Sequence, residues 1–508
     1  MKTGVVTFDF PPQYRRADVA ARPLAVASPL MRLLRERGVE VTAPLEALAA
    51  RDPGASAGIR DAKDVEFCVD ALRAARVDCL VIDVFHWARI ALVACLVEKL
   101  DVPVAAFANV GEGYNGVPCA GAICGSLREA PRTRRAALVE GFLDTDADSL
   151  MAWVRGVSAL ARMRRSRIML WGGSYGAEMP YTRSDPAEIE AAFIAEVMSE
   201  QEELIVEPAR RIVCGDHARI EGFLAWLQGH GATVRRDGKM VSEASLDFQV
   251  ALYLAARDRI AELEKEGGAT EAAGGAIAGA SIKCHYEMSL TCQGCTGCLL
   301  PGFLPFGEDG EGARRVVPFA CEGDLNGLVS VVLLHALVPE VPPLFGDLVA
   351  FKPDHVLLRN CGGSSVYWAA RSADAARALS RVTLGPNLHG KSGAAVGYET
   401  PSGGPVTFLR LFRQDRKFAM LLGEGAILDP GEASRYDDPW PHTRLSLGVD
   451  PNLLFRAIPC SHGSLTEGRL GREVETACAH AGVAVFRCDG EEGLRELLHA
   501  RGVRGERE

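Results

Sequence analysis

The chain has 508 residues, 48% of them hydrophobic and 24% charged, and its formal net charge is -10. A chain of this length exceeds what one hydrophobic core serves, so we expect two or three domains. The acidic balance argues against nucleic acid and anionic membrane surfaces as partners, because both are bound through basic patches.

The first part of the chain, residues 1–165, alternates short β-branched runs with longer amphipathic stretches. The runs "GVVTFDF", "VEVTAP", "DCLVIDVF" and "PVAAFANV" predict strands buried on both faces, and the stretches between them have helical spacing. This order predicts a doubly wound α/β domain with a parallel sheet. The N terminus lacks signal-peptide features and no run is long enough to span a bilayer, so we expect a cytoplasmic protein.

A second doubly wound α/β domain is predicted for residues 166–275, starting at the strand "IMLW" and its glycine-rich turn. The pattern predicts a long helix over residues 243–266. The segment "GATEAAGGAIAGASIK" follows it and consists almost entirely of small residues, which is typical of a linker. We therefore place a domain boundary near residue 275.

The third part, residues 276–508, consists of short strand-like runs between glycine-rich turns, with helices such as "LNGLVSVVLLHAL". Within it, "FACEGDLNGLVS" puts Glu322 and Asp324 in an apolar neighbourhood, where a buried carboxylate needs a positive partner. Capping of the following helix would explain Asp324 but would leave Glu322 unexplained. His462 lies where a strand meets a small-residue turn, and the three side chains together suit Mn²⁺, Mg²⁺ or a related divalent ion.

A cysteine cluster offers a different kind of site. Cys284, Cys292, Cys295 and Cys298 lie in "CHYEMSLTCQGCTGC", the last three with CxxCxxC spacing. Thiolates at this spacing bind zinc or an iron–sulfur cluster, although the arrangement differs from that of zinc ribbons and clustered ferredoxins. Buried or reactive thiols are the alternative interpretation.

Motifs of the third part resemble those of the L-fucose isomerase and L-arabinose isomerase superfamily. "FACEGDLNGLVSVVLLHAL" is similar to the acidic helix entry of that family, "PPLFGDLVAF" to its Phe-Ala-Asp strand, and "CSHG" to the Asn-His-Gly turn whose histidine binds the metal. "VLLRNCGG" resembles a His-Cys-Gly turn of related proteins, with Asn360 where histidine is common. The resemblance implies two α/β domains followed by a C-terminal α+β domain with a β-barrel-like core.

In that family, Glu, Asp and His side chains hold Mn²⁺, and carboxylates move a proton between C1 and C2 of an open-chain sugar through an ene-diol. The resemblance implies Glu322, Asp324 and His462 as metal ligands. It implies Glu287, together with Asp324, as the proton carriers. Cys298 pairs with the position of the family's catalytic glutamate, which raises the prospect of a different reaction if Glu287 does not reach the metal.

The resemblance also implies Trp440, Trp87 and Arg16 as substrate contacts and a homo-oligomer, a trimer or a hexamer. The function predicted from the sequence is therefore a metal-dependent aldose–ketose isomerase acting on a pentose, a 6-deoxyhexose or a related polyhydroxy compound. Two alternatives stay open. One is an enzyme on the same scaffold that uses the cysteine cluster for a thiol-, zinc- or iron-dependent reaction, and the other is a non-catalytic sugar-binding protein.

Overall fold

A computed structural model of the chain describes residues 1–9, 22–51, 58–109, 116–129, 136–141, 143–174, 178–266, 275–284, 287–290, 295–387, 393–430 and 440–502. The chain forms two compact units, Met1–Ala161 with Arg472–His480, and Arg162–Gly471 with Ala481–Glu508. The predicted α/β class is confirmed, because parallel sheets with helices occur in both units and a large mixed sheet occurs in the second.

The first unit is built on one five-stranded parallel sheet. Its strands are β1 (Lys2–Val6), β2 (Glu40–Thr42), β3 (Cys79–Val84), β4 (Val104–Asn109) and β5 (Ala136–Gly141). Its helices are α1 (Arg22–Glu36), α2 (Leu45–Arg51), α3 (Ala62–Ala74), α4 (Ile90–Leu100), α5 (Gly116–Glu129) and α6 (Leu143–Met163). The strand order is β2-β1-β3-β4-β5, and every neighbouring pair is parallel.

The central strand β3 shows why this sheet forms. All six of its residues are buried. Leu80 and Ile82 pack in an apolar cluster with residues of α3, α4 and α5, whereas Cys79 and Val81 pack in a second cluster with residues of α1 and α6. Successive side chains of a strand point to opposite faces, so an unbroken apolar run produces a strand that is covered on both sides.

The second unit holds the remaining strands and most of the remaining helices. Its strands are β6 (Arg167–Trp171), β7 (Glu196–Glu200), β8 (Thr233–Val234), β9 (Ile277–Ile282), β10 (Glu308–Asp309), β11 (Gly312–Ala313), β12 (Phe319–Ala320), β13 (Leu344–Phe351), β14 (Val356–Arg359), β15 (Thr383–Pro386), β16 (Ala394–Glu399), β17 (Gly403–Gln414), β18 (Lys417–Ile427), β19 (Pro441–Ser446), β20 (His462–Glu467) and β21 (Ala484–Arg487). Its helices are α7 (Pro186–Ala192), α8 (Glu203–Gly215), α9 (His217–Gly229), α10 (Glu243–Glu266), α11 (Glu287–Leu290), α12 (Leu299–Phe303), α13 (Leu325–Leu337), α14 (Ala375–Leu379), α15 (Pro451–Ala457) and α17 (Glu491–Ala500). Helix α16 (Gly471–Ala481) contributes Arg472–His480 to the first unit.

A four-stranded parallel sheet, in the order β12-β9-β6-β7, contains a segment that the sequence predicts as a linker. The linker prediction is wrong for Ile277–Ile282, which form the inner strand β9. Its small residues reflect close packing, since a Cβ at Gly279 would lie 2.7 Å from Val332 and 2.9 Å from Leu328 of α13. The predicted boundary near residue 275 thus falls within one compact unit, whereas the helix predicted over 243–266 is confirmed as α10.

The second sheet of this unit has ten strands, in the order β21-β18-β17-β20-β13-β14-β19-β16-β15-β8. Strand β18 also pairs with β19, so β18, β17, β20, β13, β14 and β19 form a closed circuit of pairings. Helix α13 packs against β17 and β20 of this circuit and against β9 of the parallel sheet. Its residues from Leu325 to Leu334 are all buried, as expected for a helix that is apolar all round.

Within the described residues, no helix combines the length and the apolar character needed to cross a membrane.

Candidate functional site

The acidic pair lies in the tight turn between β12 and α13. Asp324 is the N-cap of α13, and its carboxylate accepts a hydrogen bond of 2.8 Å from the Gly327 N–H, so the capping interpretation is confirmed for this residue. Glu322 and Gly323 both have left-handed backbone, with φ of 61° and 60°. A glutamate rarely adopts this conformation, and such residues are concentrated at functional sites.

Asp324 is completely buried because it pairs with an equally buried arginine, Arg410 of β17. Arg410 Nη1 donates to Asp324 Oδ2 at close range, and Nη2 donates to Oδ1 at 3.1 Å. Burial alone would raise the pKa of Asp324, but the charge of Arg410 and the hydrogen bond with His462 outweigh it and lower that pKa to about 2. Asp324 is therefore a permanent anion, and both of its oxygens are bound by protein donors.

His462, the first residue of β20, connects this ion pair to two further carboxylates. Its Nδ1 lies 2.7 Å from Asp324 Oδ2. Its Nε2 lies 3.1 Å from Asp347 Oδ1 and 3.4 Å from Glu322 Oε2. The structure thus brings together the three side chains that the sequence predicts as a group, and it adds Asp347 of β13, which is directly opposite His462 in the sheet.

The three carboxylates determine the charge of the imidazole. Burial disfavours the protonated ring, but Asp347, Asp324 and Glu322 outweigh this effect, and the pKa of His462 is raised well above its ordinary value. The raised pKa favours the form of the ring that carries a proton on both nitrogens. Any cation that binds at Nε2 has to replace that proton.

Aromatic and hydroxyl groups fix the position of the imidazole and of Asp347. The rings of Phe345 and Tyr181 meet the His462 ring edge to face, with centroid distances of 5.0 and 5.7 Å. The Tyr181 hydroxyl lies 2.6 Å from Ser461 Oγ, which donates to Asp347 Oδ1 at 3.3 Å. These contacts leave Asp347 as the most accessible carboxylate of the group, with its side chain 27% exposed against 9% for Glu322.

A row of polar residues continues from His462 across one face of the ten-stranded sheet. Asp347 is opposite both His462 and Arg359, and Arg359 is opposite His442, which pairs with Glu399. Side chains of directly paired residues share one face of a sheet. The guanidinium of Arg359 lies 4.3 Å from the centre of the Trp440 ring. This contact puts the predicted substrate residue Trp440 against the strand next to Asp347.

Two further predicted side chains, those of Glu287 and Arg16, lie outside the described residues, and a third, Trp87, belongs to the first unit. Glu287 begins α11, and its side chain lies outside the described residues. Arg16 also lies outside them. Trp87 follows β3 in the first unit and is 44% exposed.

The three described cysteines of the sequence cluster, Cys284, Cys295 and Cys298, do not all have the same surroundings. Cys284 and Cys298 line a small cavity beside Glu322, in which they meet Cys321 and Cys361 from distant parts of the sequence. The Cys295 thiol instead donates to the backbone carbonyl groups of Ser245 and Thr296. Cys292 lies outside the described residues.

Three thiols of this cavity, those of Cys284, Cys298 and Cys361, are poor nucleophiles. Burial raises the pKa of Cys284 well above its ordinary value and that of Cys298 to about 12. Contact with the Cys321 thiol, burial and the charge of Glu322 raise the pKa of Cys361 as well. Because the thiolate is the reactive form, these side chains are inert at neutral pH.

In the part of the chain that the structure describes, no group of three or more His, Cys, Asp or Glu side chains is arranged so that it could hold a metal ion. At His462 the three carboxylates contact the imidazole directly. The arrangement is therefore a compact network of one imidazole and three carboxylates, balanced by Arg410.

Comparison with known proteins does not add a family: no protein-family model matches the chain, and no curated protein is significantly similar to it.

Several residues of the network are absent from the set predicted by sequence. Asp347 lies in "PPLFGDLVAF", which resembles the Phe-Ala-Asp strand of the fucose and arabinose isomerase superfamily, so the sequence contains a signal for this residue. Cys361 lies in "VLLRNCGG", whose resemblance to a turn of related proteins is a signal for the turn but not for its contact with Glu322. Arg410 and Tyr181 become part of the site only through contacts with residues far away in the chain.

Proposed function

We propose that this protein is a divalent-metal-dependent aldose–ketose isomerase that acts on a pentose or a 6-deoxyhexose, in the manner of the L-fucose and L-arabinose isomerase superfamily. The observation that carries the proposal is the orientation of His462. Asp324 binds one ring nitrogen, and the other nitrogen faces the carboxylates of Glu322 and Asp347. Histidine ligands of metals in proteins are commonly held in this way, by a carboxylate on the second nitrogen.

The donor set suits Mn²⁺, which prefers carboxylate oxygens and accepts an imidazole nitrogen. His462 Nε2 lies 3.1 Å from Asp347 Oδ1 and 3.4 Å from Glu322 Oε2, so these three side chains already meet at one point. The proposed ligands are therefore Glu322, Asp347 and His462, and Asp324 is proposed to orient His462 instead of binding the metal.

When bound, the metal would polarise two adjacent oxygens of the open-chain sugar and stabilise the charge of the ene-diol form. Glu322 and Asp347 flank the same ring nitrogen, so one of them is proposed to take the proton from C2 and return it to C1. Asp324 is a poor candidate for this task because its pKa is about 2 and Arg410 occupies its oxygens. Glu287 stays a prediction for the same role.

Two neighbouring features suit a polyhydroxy substrate. The Tyr181–Ser461 pair adjoins Asp347 and presents hydroxyl groups that donate and accept hydrogen bonds. The Arg359–Trp440 pair lies on the next strand and offers a flat apolar surface with a planar cation, which suits the C–H face and the hydroxyls of a sugar.

The proposal also covers the details of the two sheets, the cellular compartment and the oligomeric state. Apolar clusters that contain alternate residues of β3 support a doubly wound first sheet. The closed circuit of six strand pairings supports a barrel-like core in the second unit. We also propose that the protein is cytoplasmic and, as the resemblance implies, that it forms a homo-oligomer, a trimer or a hexamer.

A reaction based on the clustered cysteines is less well supported. The Cys295 thiol donates to backbone carbonyl groups and the Cys298 thiol to the Thr296 hydroxyl, and burial raises the pKa of Cys298 to about 12. Zinc or iron–sulfur binding by these residues would require both thiols to turn toward one point.

The test of the proposed function uses the full-length purified protein. Its metal content is measured by elemental analysis before and after treatment with a chelator, and pentoses and 6-deoxyhexoses are screened for ketose formation by NMR in D₂O. We expect about one divalent metal ion per chain. Turnover should be lost after chelation and recovered when Mn²⁺ is added, and the ketose should carry deuterium from the solvent at C1. Sugar binding without conversion and without a metal requirement would instead identify a binding protein. Zinc or iron that is lost in Cys298→Ser would identify a thiolate site.

The raised pKa of His462 predicts a pH dependence of metal binding. The metal has to displace a proton from Nε2, so the apparent affinity for Mn²⁺ is expected to rise about tenfold for each pH unit below that pKa. The raised pKa of His462 also affects the stability of the protein without metal. The protonated ring stabilises the fold fully below the unfolded pKa of about 6.5, and this contribution to the free energy of unfolding is lost as the pH rises through the folded pKa.

Isothermal titration calorimetry with Mn²⁺ in buffers of different ionisation enthalpy measures the protons released. We expect release of about one proton per metal below the folded pKa of His462. His462→Gln serves as the control and is expected to bind little metal. Proton-independent binding over the range from pH 6 to pH 8 would contradict the assignment of His462 as a ligand.

A further inference from the structure

The Glu322 carboxylate has two oxygens, and the structure gives each a different neighbour. Oε2 lies 3.4 Å from His462 Nε2, on the side where the proposed metal binds. Oε1 accepts a hydrogen bond of 3.1 Å from the Cys361 thiol. A contact on the side away from His462 therefore helps to orient the carboxylate, and it comes from a residue that has no place in the proposed chemistry so far.

The backbone on the Glu322 side of this contact is rigid. Gly323 N donates to the Ile282 carbonyl oxygen at 2.9 Å, and Asp324 N donates to the Cys321 carbonyl oxygen at 3.1 Å. A Cβ at Gly323 would lie 2.8 Å from the Gly173 carbonyl oxygen, so this turn has no room to move toward that side. The backbone of Glu322 is thus held in the left-handed conformation, and only the side-chain torsions can change the direction of the carboxylate.

The backbone on the Cys361 side is equally constrained, by a Cys-Gly-Gly turn after β14. Gly362 has φ of 145°, and a Cβ there would lie 2.2 Å from the Cys298 sulfur. A Cβ at Gly363 would lie 2.2 Å from the Cys298 carbonyl oxygen. Asn387 Nδ2 donates to the Cys361 carbonyl oxygen at 3.4 Å. The thiol is therefore presented to Glu322 from a densely packed support.

A thiol suits this task for a chemical reason. It is a weak hydrogen-bond donor, so it can orient a carboxylate oxygen without the strong neutralisation that a lysine or arginine would cause. Glu322 Oε2 then retains the negative charge that a divalent cation requires. Arg410 performs the opposite task at Asp324, where a fixed anion is needed and no metal is proposed to bind.

We propose that Cys361 is a positioning residue for the metal centre: its thiol holds Glu322 Oε1 so that Oε2 faces the metal side of His462. This inference rests on the proposed function. Residues that orient a metal ligand contribute to affinity without touching the ion, and their loss commonly weakens metal binding about 10- to 100-fold.

The first experiment compares Mn²⁺ affinity in the full-length wild type, Cys361→Ala and Cys361→Ser, measured from the electron paramagnetic resonance signal of free Mn²⁺. Cys361→Ala is expected to weaken binding about 10- to 100-fold, and Cys361→Ser is expected to recover most of the loss because its hydroxyl can donate to the same oxygen. Cys295→Ala is the matched control, since this thiol is also buried but donates to the backbone carbonyl groups of Ser245 and Thr296. Its affinity is expected to stay within about threefold of the wild type.

Wild-type affinity in Cys361→Ala, or an equal loss in Cys295→Ala, would overturn the inference while leaving the proposed function standing. Wild-type protein that binds no Mn²⁺ would instead refute the proposed function.

The contact between Cys361 and Glu322 is tested without metal, by the infrared S–H stretching band that disappears in Cys361→Ala. We expect this band to shift to higher frequency in Glu322→Gln, and an unshifted band would overturn the inference. Thermal unfolding of each metal-free variant checks that the fold is intact.

Discussion

Replacing Arg410 by methionine is expected to destabilise the protein by about 3–5 kcal/mol, because it leaves the completely buried Asp324 carboxylate without its cation. Asp324 also caps α13 and binds His462, so removal of Arg410 is expected to disturb both the start of the helix and the candidate site. Chemical denaturation followed by circular dichroism measures the change. The double variant Arg410→Met with Asp324→Leu is expected to recover much of the stability, since an apolar pair can replace a buried ion pair.

Arg413→Met is the matched control, because Arg413 lies on the same strand and pairs with Glu188 in a partly exposed position. Its effect is expected to be much smaller, since water screens such pairs. The double variant further separates stability from function. It should be folded and yet bind Mn²⁺ poorly, because His462 has lost the partner of its Nδ1. A stable Arg410→Met protein would contradict the role of the buried pair.

Glu322→Gln and Asp347→Asn are each expected to lower kcat about 10²- to 10⁴-fold, the usual contribution of a general acid or base. Both substitutions keep the shape of the side chain but remove the charge that binds the metal and carries the proton. The rate of aldose-to-ketose conversion and the rate of deuterium uptake from D₂O, both followed by NMR, measure the effect. Saturating Mn²⁺ in the assay separates loss of proton transfer from loss of metal.

Asp354→Asn provides the comparison, because Asp354 is an exposed carboxylate near the end of β13 that pairs with Arg444 and His355. Its kcat is expected to equal that of the wild type. The opposite pattern, with turnover retained in Glu322→Gln and Asp347→Asn but lost in Glu287→Gln, would transfer the proton-carrying role to Glu287.

Local features of this protein follow from its sequence. The apolar runs predict the buried parallel strands of the first unit, and helical spacing predicts α10 over residues 243–266. An aspartate before an apolar helical stretch predicts the cap at Asp324. These predictions succeed because propensity, periodicity and capping act over a few residues. The grouping of Glu322, Asp324 and His462 was also accessible, since charged side chains in apolar surroundings require partners.

The partners themselves were decided only by the tertiary structure. Arg410 is 86 residues from Asp324, so no local pattern distinguishes it from the other arginines. The same holds for the meeting of Cys361 with Glu322, and for the small-residue segment that became β9 because α13 packs closely on Gly279. The sequence by itself determined which segments are helical, extended or buried, and that unpaired carboxylates needed partners. Long-range packing decided which donor satisfies each carboxylate, because those contacts depend on how distant strands and helices meet in space.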